Sequence, residues 1–461
     1  MWLWGSTLRG GRPSSGSIKS TLAVVPIAEL ATRSCLGQDL ERLRGRCAVL
    51  LLADQLTAAL ALLELDGVAR RVVLCTPDLA EEYVPEVIRE SEADAIVGDS
   101  HTVHLSRHGI GIAVQPTATP SFEISGRRQS VDTEWVLLTS GTTGAPKLVL
   151  HTLASLTSAL ADATPGSDTV VWSTFYDIRR YGGLQIFLRA LRAGSMVLSA
   201  QGEPVVEFIV RAGRSGVTHI SGTASHWRGV LMSGAALSMA PRYIRLSGEI
   251  ADQGVLDGLH AAFPTAEIEH AFASTEAGVA FEVADRKAGF PAEFLDAPVH
   301  HVDLKIEDGT LRIRSPGNAL RYLGASAPAI RGPDGFVDTG DRLELNEGRY
   351  TFVGRSGGVI NVGGLKVYPE EVETIINTHP WVRISRVRAR RNAITGAVVT
   401  AEIVLKPDVQ SSGQCPDQES LRRQIIDQCR GVLPAYKVPA LIQFVESLEI
   451  SAAGKLVRAN A

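Results

Sequence analysis

The sequence predicts an α/β fold. A large N-terminal domain of layered α/β subdomains plus a β subdomain is followed by a small α+β C-terminal domain. Three observations carry this reading. Short apolar runs alternate with helical patterns through the first 130 residues and again beyond a glycine-rich loop. Alternation at period 2 then takes over from about Val302. A compact strand–helix tail closes the chain. Strand–helix alternation implies layered α/β packing, and a period of 2 implies half-buried antiparallel strands.

Taken in order, "RCAVLLLA" reads as a strand and "DQLTAALALLEL" as a helix. The run is broken by Asp54 and Gln55, so it is a buried strand and helix and not a membrane span, which needs ~20 apolar residues. "RVVLCT" is a second strand, "PDLAEEYVPEVIRESEA" a helix opened by Pro77 and Asp78, and "DAIVGD" a third strand. "TVVWSTF" and "SMVLSA" flank the helix "LQIFLRALRA", and "VTHIS", "YIRLSG" and "IEHAFAS" continue the strand series. "VDLKIEDGTLRIRS" alternates around Asp308-Gly309, a hairpin signal; "GRYTFVGR" adds a strand. "SGGVINVGG" reads as a hinge or turn. The tail offers the helix "PEEVETIINTHP", the strands "ISRVRAR" and "AVVTAEIVL", and the helix "ESLRRQIIDQCRGVL". "QSSGQCPDQE" reads as a freely mobile loop. The division expected is 1–353, a hinge at 354–358, and 359–461.

The bulk numbers exclude several classes. The 461 residues carry a net charge of −4, with 45% hydrophobic and 21% charged residues. That is the balance of a soluble globular protein, without the basic excess of a nucleic-acid binder. Five cysteines, at 35, 47, 75, 415 and 429, form no CxxC pair or metal spacing. They read as reduced thiols of a cytoplasmic protein, monomer or homodimer. The N-terminus has too short an apolar run for a signal peptide.

The chemistry-bearing stretch is "TSGTTGAPK", Thr139 to Lys147. Gly141 and Gly144 allow backbone N–H groups to converge on an anion. Thr139, Ser140, Thr142 and Thr143 add hydroxyl donors, and Lys147 adds positive charge. On composition alone a flexible turn fits as well. Pro146 before the lysine and Leu148 after it exclude the P-loop pattern GxxxxGK[ST].

The loop resembles the phosphate loop of adenylate-forming enzymes, the family of acyl-CoA synthetases, adenylation domains and luciferase. Further stretches are similar to that family's motifs, in the same order over more than 300 residues. The resemblance implies the following roles. "LSGEIADQGVLDGL" supplies the adenine-binding turn, Ser247, Gly248 and Glu249. "FASTEAG" supplies Phe272 beside adenine, Ala273 and Ser274 as further nucleotide-binding residues, Thr275 at the α-phosphate and Glu276 on Mg²⁺. Ala273 stands where the family has glycine. "FVDTGD" supplies Asp341 for the ribose hydroxyls, and Arg355 contacts ribose or phosphates. "SAAGKLVR" supplies Lys455, which reaches the attacking carboxylate and the α-phosphate.

The resemblance thus implies activation of a carboxylic acid by ATP as an acyl-AMP, with release of pyrophosphate. A small mobile domain then rotates and a thiol attacks. The thiol is coenzyme A or the phosphopantetheine of an acyl carrier protein; Gly363, Gly364 and Lys366 are placed near its path. A non-catalytic nucleotide-binding homologue is the rival of a different class. Two departures stand out. Gly357, followed by Gly358, occupies the hinge position where the family has an acidic residue or lysine. Arg179 and Arg180 stand near the place of a pocket histidine, either as surface residues or, in one case, as a sensor of a polar acyl group. Tyr176, Arg180, Tyr181 and Gly222 are the expected acyl-pocket residues, and aromatic walls suit a compact aryl or short-branched acid. Asp177 falls about four residues early for an α-amino anchor. In the tail, Arg386, Arg388 and Arg390 share a strand face, as a charged solvated edge or as an anion site.

Overall fold

A computed structural model describes residues 3, 16–99, 110–139, 146–160, 170–296, 301–392, 396–406, 417–449 and 456. Two large sheets lie on either side of one helix. That helix, Gln55–Leu65, is capped by Asp54, whose side chain accepts the Thr57 N–H. All eleven of its residues are buried. A helix apolar on every side must be enclosed on every side. Its leucines and alanines share one core with Ala48, Leu50, Val72, Leu74 and Leu137 of one sheet and with Ile18, Trp172, Met196 and Val279 of the other.

The first sheet has seven strands in the order Arg321–Tyr322, Lys147–Thr152, Glu134–Thr139, Arg71–Leu74, Cys47–Leu51, Ala95–Gly98, Ile112–Val114. Glu134–Thr139 and the strands beyond it pair parallel, and the Lys147–Thr152 end is antiparallel. The second sheet has eight, ordered Gly278–Val283, Glu267–Ser274, Tyr243–Ser247, His219–Gly222, Val171–Thr174, Ser195–Val197, Ser17–Lys19, Val24–Pro26. Its inner strands are parallel. Parallel strands buried on both faces read as short apolar runs, which is why they were legible in the sequence.

A five-stranded antiparallel sheet follows, containing the hairpin Asp303–Glu307 and Thr310–Arg314. Asp308 and Gly309 both have positive φ, the geometry a two-residue hairpin turn requires. The C-terminal unit packs the helices Pro369–Asn377 and Gln418–Val432 on a three-stranded sheet.

The structure differs from the sequence reading in three places. The helix expected from Pro77 begins as a 3-10 turn, Glu81–Tyr83, and becomes α-helical over Val84–Ser91, with Pro85 in its first turn. Proline lacks an N–H and fits only there. The stretch "SGGVINVGG" is not all turn: Ile360–Val362 and Leu365–Val367 form a hairpin with Gly363 and Gly364 at its tip. The helix at "LQIFLRALRA" starts three residues earlier and spans Tyr181–Ala193. Most of "QSSGQCPDQE" lies outside the described residues.

That earlier start rests on Gly183. A Cβ there would meet the Asp177 carbonyl oxygen at 2.1 Å, whereas at Gly182 the nearest atom is a Tyr176 ring carbon at 3.5 Å. Gly183→Ala is therefore expected to cost about 1–3 kcal/mol, the scale of overpacking. Gly182→Ala is expected to be neutral or slightly stabilising. Urea denaturation of the two variants checks the contrast.

Candidate active site

In open α/β sheets, ligands gather at the carboxyl ends of the strands. Thr174, Gly222, Ser247 and Ser274 end four neighbouring strands of the eight-stranded sheet.

Thr139 and Lys147 are register partners at one end of an antiparallel pair. Ser140, Gly141, Thr142, Thr143 and Gly144 lie outside the described residues. Lys147 is exposed, with Nζ 5.3 Å from the centroid of the Tyr322 ring. Two residues of this strand region, neither singled out from the sequence, hold the "FASTEAG" turn. His151 Nε2 lies 2.8 Å from the Thr275 carbonyl oxygen, and Nδ1 lies 2.9 Å from Ser155 Oγ. Burial drives its pKa down to about 4, so the ring is neutral at pH 7. A carbonyl only accepts, so Nε2 carries the proton. Tyr322, on a strand paired with Lys147–Thr152, donates its hydroxyl to Glu276 Oε1 at 3.1 Å. The turn itself is closed by the Ala277 N–H donating to Ser274 Oγ at 3.0 Å, while the Ala319 N–H donates to the Glu276 carbonyl at 2.9 Å.

Glu276 Oε2 accepts no hydrogen bond among the described residues. Mg²⁺ binds through one or two carboxylates, waters and substrate phosphates. One open carboxylate oxygen fits that demand, and the described residues hold no cluster of three metal-ligating side chains that would make a closed protein cage.

Ser247 ends its strand and Gly248 follows at φ +80°. Glu249 turns to the start of the helix Ala224–Ser233, where its carboxylate accepts the Ser225 N–H at 2.8 Å and the Ser225 hydroxyl at 3.1 Å. An anion at a helix N-terminus is favoured. Glu249 Oε1 also lies 3.4 Å from the Leu456 N–H donor. The residue after Lys455 therefore rests on the expected adenine-binding turn; Lys455 itself lies outside the described residues. Phe272 stacks on Phe352 at 5.1 Å and on Phe281 at 5.8 Å, and a bulge separates it from Ala273. Asp341 and Arg355 are register partners, with Arg355 Nε–H donating to Asp341 Oδ1 at 2.8 Å. Asp341 Oδ2 is buried and lacks a partner among the described residues. A buried acceptor without a donor marks a place for one.

On the acyl side, the Tyr176 hydroxyl donates to the Ser247 carbonyl at 2.6 Å. Tyr181 lies beside His151 with ring centroids 5.7 Å apart. Gly222 faces Phe175, whose ring a Cβ would meet at 2.5 Å. Phe175 stacks on His226 at 4.7 Å. The two arginines part company. Arg179 is fully buried, not at the surface, and forks onto Asp177 at 2.7 and 2.5 Å while capping the Leu52 carbonyl. Arg180 reaches Asp78 at 2.5 Å. Both Asp177 oxygens are thus engaged by Arg179, leaving Asp177 unsuited to an α-amino group.

Arg245 and Arg189 converge on Glu282, the latter at 3.0 Å, and the Tyr243 hydroxyl donates to Glu269 at 2.6 Å. Burial alone would raise the Glu282 pKa, but Arg245 and Arg189 outweigh it and bring it to about 2. Trp172 Nε1, Ser221 Oγ and Arg189 Nε are buried without partners among the described residues.

In the C-terminal unit, Lys366 is exposed on the Gly363–Gly364 hairpin, opposite Asn361. Arg386 pairs with Glu402 at 2.7 Å and Arg388 approaches it at 3.5 Å. Two of the three same-face arginines are therefore partly neutralised by one carboxylate.

Among the residues expected at the nucleotide, Glu276 thus offers an open carboxylate oxygen and Asp341 an unpartnered one. The chain belongs to the AMP-binding enzyme family: that family's model matches residues 51–323, and the model of the AMP-binding enzyme C-terminal domain matches 371–455. It is 31% identical over 396 residues to 2-succinylbenzoate–CoA ligase of Geobacillus kaustophilus, covering 80% of this chain and 76% of that one. It is 37% identical over 134 residues to mouse acyl-coenzyme A synthetase ACSM3, mitochondrial, a match spanning 29% of this chain and only 22% of that relative. Among solved structures, the anthranilate CoA ligase AuaEII in complex with anthranoyl-AMP superposes with a TM-score of 0.79 at 19% identity, over 97% of this chain and 94% of that one. Among the described residues no helix is long and apolar enough to cross a membrane.

His151 also sets a pH dependence. Its folded pKa of about 4 lies below the usual 6.5, so the unfolded chain takes up the proton first. Its contribution to stability is complete above pH 6.5 and is lost as pH falls toward 4, amounting to about 3 kcal/mol at the low end. His151→Gln is expected to flatten the loss of stability between pH 6.5 and 4 relative to the wild type. Denaturation midpoints across that range are the measurement.

Proposed function

We propose that the chain is an ATP-dependent acid–thiol ligase. It converts a carboxylic acid to an acyl-AMP with release of pyrophosphate, then passes the acyl group to coenzyme A. The observation that carries this reading is a set of three features at residues expected to meet the nucleotide. These are the open oxygen of Glu276, the unpartnered oxygen of Asp341, and Leu456 on Glu249.

The reaction is a displacement at the α-phosphorus between two anions, so the protein's work is placement and charge stabilisation. Lys147 and the loop before it meet the phosphates. Asp341 orients the ribose, and the Ser247–Glu249 turn with Phe272 flanks the adenine. Bound Mg²⁺, held by Glu276, would neutralise phosphate charge. Thr275, its carbonyl fixed by His151, presents its side chain to the α-phosphate. Lys455, which the resemblance assigns to the attacking carboxylate, precedes Leu456 in the sequence.

The division at 354–358 fits this reading. Neither Gly357 nor Gly358 has positive φ, and a Cβ at either would meet nothing within 4 Å. This arrangement of the domains does not itself demand glycine there; a second arrangement, needed for thiol attack, supplies the reason. Gly363, Gly364 and Lys366 then line the approach of the thiol, and the chain acts in the cytoplasm.

For the acid, Tyr176, Tyr181 and Phe175 favour a compact aryl group. Arg189 and Arg245 with the unpartnered donors Trp172 Nε1 and Ser221 Oγ favour one bearing a polar or anionic substituent. The acids in the names of two relatives, 2-succinylbenzoate and anthranilate, are of that kind.

Two measurements test this. A panel of aryl, branched and long-chain acids, read by pyrophosphate release, is expected to respond best to polar-substituted aryl acids. Coenzyme A is expected to support AMP formation where a phosphopantetheinylated carrier protein does not; the reverse result would make the chain a carrier-loading enzyme. ATP binding without pyrophosphate exchange on any acid would make it a non-catalytic homologue. Separately, Lys455→Ala should lower acyl-AMP formation by about 100-fold or more, the scale of a lost charge-stabilising donor, and leave thiol attack on supplied acyl-AMP largely intact. Equal loss of both half-reactions would remove the role given to Lys455.

A further inference from the structure

Tyr322 stands between two residues of the nucleotide site without belonging to any motif recognised in the sequence. Its strand pairs with Lys147–Thr152, Val149 opposite Tyr322, and is stitched on both sides by Leu320 N–H to the Leu150 carbonyl and Leu323 N–H to the Leu148 carbonyl, each 2.8 Å. That register sets the ring under the Lys147 ammonium, 5.3 Å from its centroid, and directs the hydroxyl to Glu276 Oε1 at 3.1 Å. The segment before it is fixed as well: the Arg331 guanidinium donates to the Asn318 and Ala319 carbonyls, and the Ala319 N–H donates to the Glu276 carbonyl.

We propose that Tyr322 is a positioning residue for the adenylation half-reaction: it occupies Oε1 of Glu276, leaves Oε2 turned toward the magnesium–phosphate site, and couples that carboxylate to Lys147 through its ring. The inference rests on the reading of Glu276 as the metal carboxylate. A free carboxylate rotates about its last bond and presents either oxygen. A charge-assisted bond from a hydroxyl on a paired strand removes that freedom. The cation over the ring face restrains the lysine that meets the same phosphates. One aromatic side chain thus sets the separation between the positive and the negative group that together bracket the polyphosphate.

The test is the Mg²⁺ dependence of ATP binding to the full chain, followed by titration calorimetry, with thermal melting in parallel. Tyr322→Phe keeps the ring and removes the hydroxyl. It is expected to raise the half-saturating Mg²⁺ concentration about tenfold, the equilibrium factor for a lost hydrogen bond to a charged group. Affinity for ATP without Mg²⁺ should be unchanged, and the melting temperature should fall by only a few degrees. Glu276→Gln should abolish the Mg²⁺-dependent gain, and the double variant should bind no more weakly than Glu276→Gln alone. Wild-type Mg²⁺ dependence in Tyr322→Phe, or additive losses in the double variant, would overturn the positioning role while leaving Glu276 as the metal carboxylate. Wild-type Mg²⁺ dependence in Glu276→Gln would instead overturn the metal assignment, and the Tyr322 inference with it.

Discussion

The strand Lys147–Thr152 runs antiparallel to neighbours on both of its edges, and this pairing organises the nucleotide site. On one edge it faces Lys147 with Thr139. On the other it takes up the strand of Tyr322. Side chains at odd and even positions leave a strand on opposite faces, so fixing this register fixes where Lys147 and His151 point. His151 and Tyr322 then reach the two neighbouring residues Thr275 and Glu276 of the other sheet. A one-residue slip would turn both contacts away at once. The site is thus a junction between two sheets, built from main-chain register more than from the catalytic side chains themselves.

Around that junction the polar groups fall into two kinds. Those with partners are frame. Arg179 with Asp177, Glu249 with Ser225, and His151 with Thr275 are all buried or nearly so and satisfied. Asp341 Oδ2, Trp172 Nε1, Ser221 Oγ and Arg189 Nε are buried and lack partners among the described residues. Leaving such groups unpaired costs about 1–3 kcal/mol each, which is the return available to a ligand that supplies the missing partner.

Much of the fold was legible because its parallel strands are buried on both faces and therefore write themselves as apolar runs. The helix Gln55–Leu65 was legible from its apolar run, and the Asp308-Gly309 hairpin from its turn residues. The nucleotide motifs were legible through resemblance. What escaped had no local signature. His151 follows the apolar run "LVL" and Tyr322 sits in a two-residue strand; their importance comes from a partner more than 40 residues away in sequence. Arg179 and Arg180 are adjacent and chemically alike, yet one is core and the other reaches Asp78. Only the turn at Asp177, which presses against Gly183, decides which is which. The C-terminal strand Leu441–Phe444 was missed because it is a short edge strand and two of its four residues are exposed.

The helix enclosed between the two large sheets bears on how the chain could be divided. Strands of the eight-stranded sheet come both first, at Ser17–Lys19, and late, at Gly278–Val283, with most of the seven-stranded sheet in between. A cut anywhere in that interval would strip Gln55–Leu65 of one wall and strand its leucines in water. After Arg355 the situation is different, because the C-terminal unit carries its own apolar centre of Val372, Ile376, Ile403 and Leu421. The apolar interior is shared across both large sheets and begins anew after Arg355, so removing everything past that point would leave the helix Gln55–Leu65 walled on both sides.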